Sequence, residues 1–192
     1  TGGFPMHRFF QPTFPDAGSV ILGGPEAHHL AHVLRIAAGA EIEIFDGQGR
    51  SAAATVTRIS KRDVELQVLR SRVTPIPMPD LTLAVAAPKG DRLDWLVEKS
   101  VELGVRRLIP LLTTRSVVDP REGKLDRLRQ AVISACKQCR RDHLLEIETP
   151  VRWAAFLDGL DSAETCWIAH PGGRPVAELL APAESRPLVA AI

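Results

Sequence analysis

The alternation of apolar and polar positions changes character once along this chain. Over 41–46, 51–59 and 63–72 apolar residues alternate with polar ones, which is the two-residue period of half-buried strands. Asp46-Gly47 and Lys61-Arg62-Asp63 supply the turns between them. From 81 onward the apolar positions come instead as short runs, near 81–87, 107–112, 144–148, 164–169 and 188–192, separated by helical patterns near 91–103, 124–140, 152–158 and 175–180. Uncharged runs suit strands buried on both faces, and their alternation with helices predicts a parallel sheet covered on both sides. Between the two patterns stand Thr74, Pro75, Ile76, Pro77, Met78 and Pro79. Alternate prolines can neither continue a helix nor donate to a sheet, so a stiff, extended linker is expected. The predicted architecture is α/β: a small β-barrel with one helix over 6–73, the linker over 74–80, and a parallel-sheet domain over 81–192.

The richest polar signal lies in the first strand, helix, strand unit of the second domain. The uncharged run 81–87 leads into Pro88, Lys89, Gly90 and Asp91, and Asp91 is expected to cap the helix that follows. Leu93, Leu96, Val97 and Val101 recur at helical spacing, and Gly104 supplies the stop. The run 107–112 then leads into Thr113, Thr114, Arg115 and Ser116. Open parallel sheets bind ligands at the carboxyl ends of their strands, so both polar loops are expected on one functional edge. The turn His170-Pro171-Gly172-Gly173, after the run 164–169, and Ile192, closing the last run, fall on that edge too. They are candidates to line a cofactor pocket; for the His170 turn a plain reversal of the chain is the alternative.

Taken in order, these residues closely resemble the ribosomal RNA small-subunit methyltransferase E family of the SPOUT superfamily. The resemblance rests on Arg8-Phe9-Phe10, on His28-His29-Leu30 with Val33-Leu34-Arg35, and on Phe45-Asp46-Gly47. It continues through Lys89-Gly90-Asp91, Glu98-Lys99, Glu102-Leu103-Gly104, Thr114-Arg115-Ser116 and Ala135-Cys136-Lys137-Gln138-Cys139. It implies a PUA-like RNA-binding barrel followed by a SPOUT methyltransferase domain, and S-adenosylmethionine-dependent methylation of N3 of a uridine in 16S rRNA of the small ribosomal subunit. It also implies a homodimer, in which Trp95 is a candidate to pack across the two-fold axis; packing inside one core is the alternative. Family members carry a further Gly-Pro-Glu-Gly-Gly loop and a Leu-Gly-x-Arg-Ile-Leu-Arg segment that complete a trefoil knot around the cofactor. Neither motif occurs in these 192 residues, so the knot is expected to be incomplete within them, and a noncatalytic rRNA-binding protein or an inactive fragment is the alternative.

Composition adds the setting. The 192 residues are 45% hydrophobic, with three cysteines and a net charge of +1. That is enough apolar content for real cores, and too few cysteines for a disulfide framework. No apolar run approaches the length of a bilayer span and no signal segment is recognised, so a cytoplasmic, membrane-free protein is expected. Basic and acidic residues number 8 and 8 over 1–80, 13 and 8 over 81–145, and 3 and 7 over 146–192, so the middle segment is +5 and the last −4. Phosphate contacts need local positive charge, which favours the middle segment; solvated helix faces at Lys124, Arg127 and Arg129 are the alternative.

Methylation at uracil N3 requires an exposed base and loss of its proton, which cations near the uracil carbonyls favour. Arg115 is the first candidate for that catalytic role, Lys89 the second, and Gln138 can hydrogen-bond a uracil edge. Surface ion pairing and helix packing are the corresponding structural alternatives. Arg8, His29 and Arg35 are the expected RNA-binding residues. His28 and His32 share a helix face, but no third ligand accompanies them and no metal is expected. Cys136 and Cys139 sit late in a helix, where the dipole does not activate a thiol, so packing is their expected role.

Overall fold

A computed structural model describes residues 6–114, 122–161, 165–175, 178 and 187–192, and the chain divides into two compact units. The first comprises the residues up to Pro75 together with 140–143; the second comprises 76–139 and 144–192. The short segment 140–143 follows the longest helix of the second unit in sequence, and nothing in its composition marks it as part of the first.

In the first unit, β1 (Arg8–Phe10), β2 (Gly18–Leu22), β3 (Glu41–Phe45), β4 (Arg50–Ile59) and β5 (Val64–Val73) form one sheet in the order β1-β3-β4-β5-β2. Only the β1–β3 pairing is parallel. β3, β4 and β5 are the strands visible in the alternation. β1, with three residues, is too short for a period to be read, and β2 carries three adjacent apolar residues, Val20, Ile21 and Leu22, in place of an alternation. Asp46 closes the β3–β4 hairpin by accepting from the Gln48 and Arg50 amides at 2.7 and 3.0 Å. Helix α1 (Gly24–His28) begins with Pro25 in its first turn and widens into a π-helical turn over His29–Val33, where the Leu34 amide reaches the His29 carbonyl. Phe9, Leu22, Leu30, Ile42, Ile44, Val56 and Leu66 form the core. Each of the larger side chains contributes on the order of 2 kcal/mol by leaving water.

The second unit starts at β6 (Leu81–Ala86), continues through α2 (Asp91–Glu102) and β7 (Arg107–Leu112), and then enters α3 (Glu122–Cys139). β8 (Glu146–Ile147), β9 (Val151–Arg152), α4 (Trp153–Asp158), β10 (Thr165–Ile168) and β11 (Leu188–Ala191) complete it. All pairings are parallel, in the order β10-β11-β6-β7-β8, with β9 also on β7. Leu93, Val97 and Val101 bury the inner stripe of α2. The start of that helix differs from expectation: Gly90 (φ +61°) occupies the cap position without a side-chain bond, and Asp91 is the first helical residue. Asp91 and Asp94 thus favour the helix through its dipole instead of a cap hydrogen bond. Gly104 (φ +86°) ends it, its amide bonding the Val101 carbonyl at 3.1 Å. Of the expected helix at 175–180, all but residues 175 and 178 lies outside the described residues.

Candidate functional site

Because every strand of the second unit points the same way, their carboxyl ends form one edge. β6 runs into Pro88, Lys89 and Gly90; β7 into Thr113 and Thr114; β10 into the turn at 170–173; β11 into Ile192. The Ala169 amide donates to the Ala191 carbonyl at 2.8 Å and the Ile192 amide to the Ala84 carbonyl at 2.9 Å. These bonds bring the His170 turn, Ile192 and the end of β6 side by side. The chain also changes direction here: from β6 it builds outward through β7 and β8, and then places β10 and β11 on the other side of β6. Such a switch point opens a crevice where open α/β sheets seat ligands.

Two features of this edge suit an adenosine-bearing cofactor. The His170 turn is tight: Nδ1 accepts from the Gly172 amide at 3.1 Å and the His170 carbonyl accepts from the Gly173 amide at 2.8 Å. A Cβ at Gly173 would stand 3.0 Å from that carbonyl. With Nδ1 as acceptor, a neutral ring carries its proton on Nε2. Ile168 and Ile192 expose apolar side chains on the same edge, which a flat heterocycle could cover. Lys89 is exposed beside them and has no ion pair among the described residues. Arg115 and Ser116 lie outside the described residues.

Gln138 is not on this edge in its own chain. Arg127 grips Asp94 with Nη2 at 2.8 and 2.9 Å from the two carboxylate oxygens, so the first turn of α2 and the second turn of α3 lie together. Gln138 is eleven residues further along α3, about 16 Å at the α-helical rise. It is exposed near that helix's far end. Arg127 and Arg129 are both taken up by carboxylates, the latter by Asp126 at 2.7 Å. Cys136 is buried and packs as expected, whereas Cys139 is exposed. Lys99 bonds chiefly to Glu102 one turn on at 2.7 Å and also reaches the adjacent Glu98 at 3.5 Å. A long flexible lysine can span both.

The three expected RNA-contacting residues of the first unit have different settings. Arg8 is not a surface residue: its side chain is 2% exposed, ion-paired to Asp142 and to Glu43, and lies 4.1 Å over the Phe45 ring. An aromatic, basic tripeptide cannot reveal what its arginine will meet; this one lies on the sheet face away from the core, where Glu43 and Asp142 enclose it. His29 is half-buried, edge-on to Phe9 with ring centroids 6.2 Å apart. Arg35 is exposed in the left-handed region (φ +52°). Near it, His28 and His32 stack at 4.8 Å and, with Lys61, Arg62 and Asp63, line a surface cavity of about 420 Å³. Among the described residues there is no group of three possible metal ligands, and no helix is long and apolar enough to cross a membrane.

Comparison with known proteins bears on both units. Residues 74–192 match the RNA methyltransferase domain and residues 22–69 the RNA methyltransferase PUA domain. This defines the class: a PUA-like antiparallel sheet followed by a parallel-sheet SPOUT methyltransferase domain. The chain belongs to the RNA methyltransferase family, and among its relatives the name ribosomal RNA small subunit methyltransferase E recurs. It is 30% identical to that protein of Synechocystis over 77% of this chain and 48% of the relative, and 28% identical to that of Bacillus subtilis over 86% and 68%. The chain therefore spans about half the length of the former. Its fold is similar to the crystal structure of a ribosomal RNA small subunit methyltransferase E from Neisseria gonorrhoeae bound to S-adenosyl methionine. There the TM-score is 0.88 and the identity 29%, over 97% of this chain and 78% of that one. A Legionella pneumophila protein solved with bound SAM shares the fold, with a TM-score of 0.86 at 24% identity over 98% of this chain and 80% of that one.

Proposed function

We propose that the protein methylates N3 of a uridine in 16S rRNA of the small ribosomal subunit, with S-adenosylmethionine as donor. The observation that carries this reading is the convergence of Lys89, the His170 turn and Ile192 at the switch point of a sheet whose sequence matches an RNA methyltransferase domain. The cofactor would supply an electrophilic methyl group. The tight turn at 170–173 offers backbone groups for its polar atoms, and Ile168 and Ile192 offer apolar cover. The target base must be unpaired to enter, and its N3 proton must leave to solvent or to a group of the RNA. Lys89 and Arg115 are the cations proposed to stabilise the resulting uracil anion. Gln138 has no role assigned at this edge within one chain.

The same reading makes the protein a cytoplasmic homodimer, with small-subunit RNA as partner. The experiment is transfer of a tritiated methyl group from S-adenosylmethionine to small ribosomal subunits lacking the modification, followed by nuclease mapping. Label on a uridine N3, with kcat lowered about 10²–10³-fold in Arg115→Ala as for loss of one charge-stabilising group, supports the proposal. RNA binding without transfer would favour the noncatalytic alternative.

A further inference from the structure

The amino ends of the second unit's strands carry a charged cluster that the carboxyl edge does not use. Parallel register sets Val189, Thr82 and Arg107 side by side on β11, β6 and β7, and Ala191, Ala84 and Ile109 two residues further on. Successive residues of a strand point to opposite faces, so all six share one face. It is the face on which α4 lies, with Phe156 packed against Ala84, Leu111, Val189 and Ala191. Toward the starts of the strands, this face and the end of α4 line a cavity of about 330 Å³. Thr82, in the cavity, and Ala86, at the end of β6, are about 13 Å apart at the strand rise. The cavity therefore lies at the opposite end of the sheet from Lys89, the His170 turn and Ile192.

Its buried lining is apolar and its more exposed lining is charged. Phe156 and Val189 are buried and Ile109 and Leu160 half-buried, whereas Asp161 is exposed and the side chains of Arg107 and Glu148 keep 35% of their surface in solvent. Thr82 Oγ1 accepts from Arg107 Nε at 3.0 Å, which anchors the guanidinium against the sheet. Glu148 is held loosely by comparison. Arg107 Nη1 stands 3.6 Å from its Oε1, and the carboxylate accepts no hydrogen bond among the described residues. A largely buried carboxylate with open acceptor positions carries a desolvation cost that a donor entering the cavity removes. Two carboxylates against one guanidinium also leave the cavity with one negative charge.

We infer that this cavity is a second ligand site, taking a small primary amine whose ammonium group meets Glu148 and Asp161 and whose short alkyl stem lies along Ile109, Phe156, Leu160 and Val189. The single positive charge of the ligand balances that of the cavity. An ammonium carries three donors and no acceptor, which answers the open acceptors of Glu148. The stem takes water off the apolar lining. An anion is disfavoured, because Arg107 is already engaged by Thr82 and faces Glu148. The inference goes beyond the proposed reaction and does not rest on it.

The test is an NMR titration of the full-length protein with n-hexylammonium chloride, following the backbone amides of Thr149, Val151, Gly159 and Asp161. Saturable shifts centred on these amides, with a dissociation constant of about 1 mM or below, are expected. Glu148→Gln should weaken binding about tenfold, as for loss of a charge-assisted hydrogen bond. Asp161→Asn changes an exposed residue and should weaken binding without disturbing the fold. Glu146→Gln, which removes an exposed carboxylate outside the cavity, should leave affinity unchanged. Hexan-1-ol and hexanoate share the stem and should bind about tenfold more weakly or worse. Absence of a saturable shift at these amides, equal binding of the alcohol, tighter binding of hexanoate, or wild-type affinity in both carboxylate variants would each overturn the amine site. Displacement of the amine by saturating S-adenosylmethionine would place it in the cofactor pocket and overturn a second site. Tighter binding of a capped Gly-Gly-Lys-Gly-Gly peptide at the same amides would make the occupant a protein side chain and overturn the free amine. None of these outcomes bears on methyl transfer, which is measured separately.

Discussion

Thr74 Oγ1 donates to Asp142 Oδ2 at 2.6 Å, joining residues 68 positions apart on either side of the second unit's first two strands and two helices. The other Asp142 oxygen accepts from Arg8. The carboxylate therefore ties the end of β5 to the first strand, and it does so almost out of contact with water, its side chain 3% exposed. Breaking a buried ion pair by removing one partner leaves the other charge desolvated and uncompensated. Asp142→Ala should cost about 3–5 kcal/mol, read as a lower denaturant midpoint. A loss below about 1 kcal/mol would mean that water replaces the carboxylate at Arg8.

Gly49 and Gly39 both have positive φ, +101° and +90°, but differ in what surrounds them. A Cβ on Gly39 meets nothing within 4 Å, whereas one on Gly49 would stand 2.5 Å from His143 Cε1 and 2.8 Å from the Thr74 carbonyl. Gly39→Ala should cost only backbone strain, about 1–2 kcal/mol. Gly49→Ala must also displace the His143 ring, which bonds the Thr74 carbonyl at 2.8 Å through Nε2. Thermal melts of the two variants should differ, with Gly49→Ala the less stable; equal losses would show that the 140–143 segment yields freely.

Trp95 is 62% exposed on α2 and Leu103, at the end of that helix, is 78% exposed. Large apolar side chains left in water are characteristic of interfaces. If the proposed homodimer buries this face, Trp95→Ala should sediment as a monomer at micromolar concentration, where the wild type is a dimer. A dimer in both would move the interface elsewhere.

The Lys99 ammonium titrates above its usual 10.5, chiefly because Glu102 hydrogen-bonds it. A pKa raised by folding means that the charged form is favoured in the native state. The contribution is therefore complete below the ordinary lysine range and is lost as pH rises through the native value. Glu102→Gln should bring the Lys99 midpoint down, measurable from the pH dependence of its NMR signals. Because both side chains keep more than a third of their surface in solvent, stability at neutral pH should scarcely change.

Much of the architecture was legible without coordinates. The alternation over 41–72 and the runs beyond 81 located eight of the eleven described strands, all but β1, β2 and β9, and the helices α2, α3 and α4 closely, because those periods arise from local geometry. The shared edge was legible too: once the strands are parallel, the residues after each apolar run must lie along one edge. Lys89, His170 and Ile192 needed only that rule. What no local pattern could decide was the burial of Arg8, the remoteness of Gln138, and the enclosure of 140–143 within the first unit. Each depends on a partner far away in sequence: Asp142 is 134 residues from Arg8, and Arg127 is 33 from Asp94. A charge in a short strand carries no sign of whether a carboxylate or water will meet it. Tertiary packing decided that by closing the sheet face over Glu43 and Asp142, burying Arg8 and leaving Arg70, Arg72 and Arg140 in solvent.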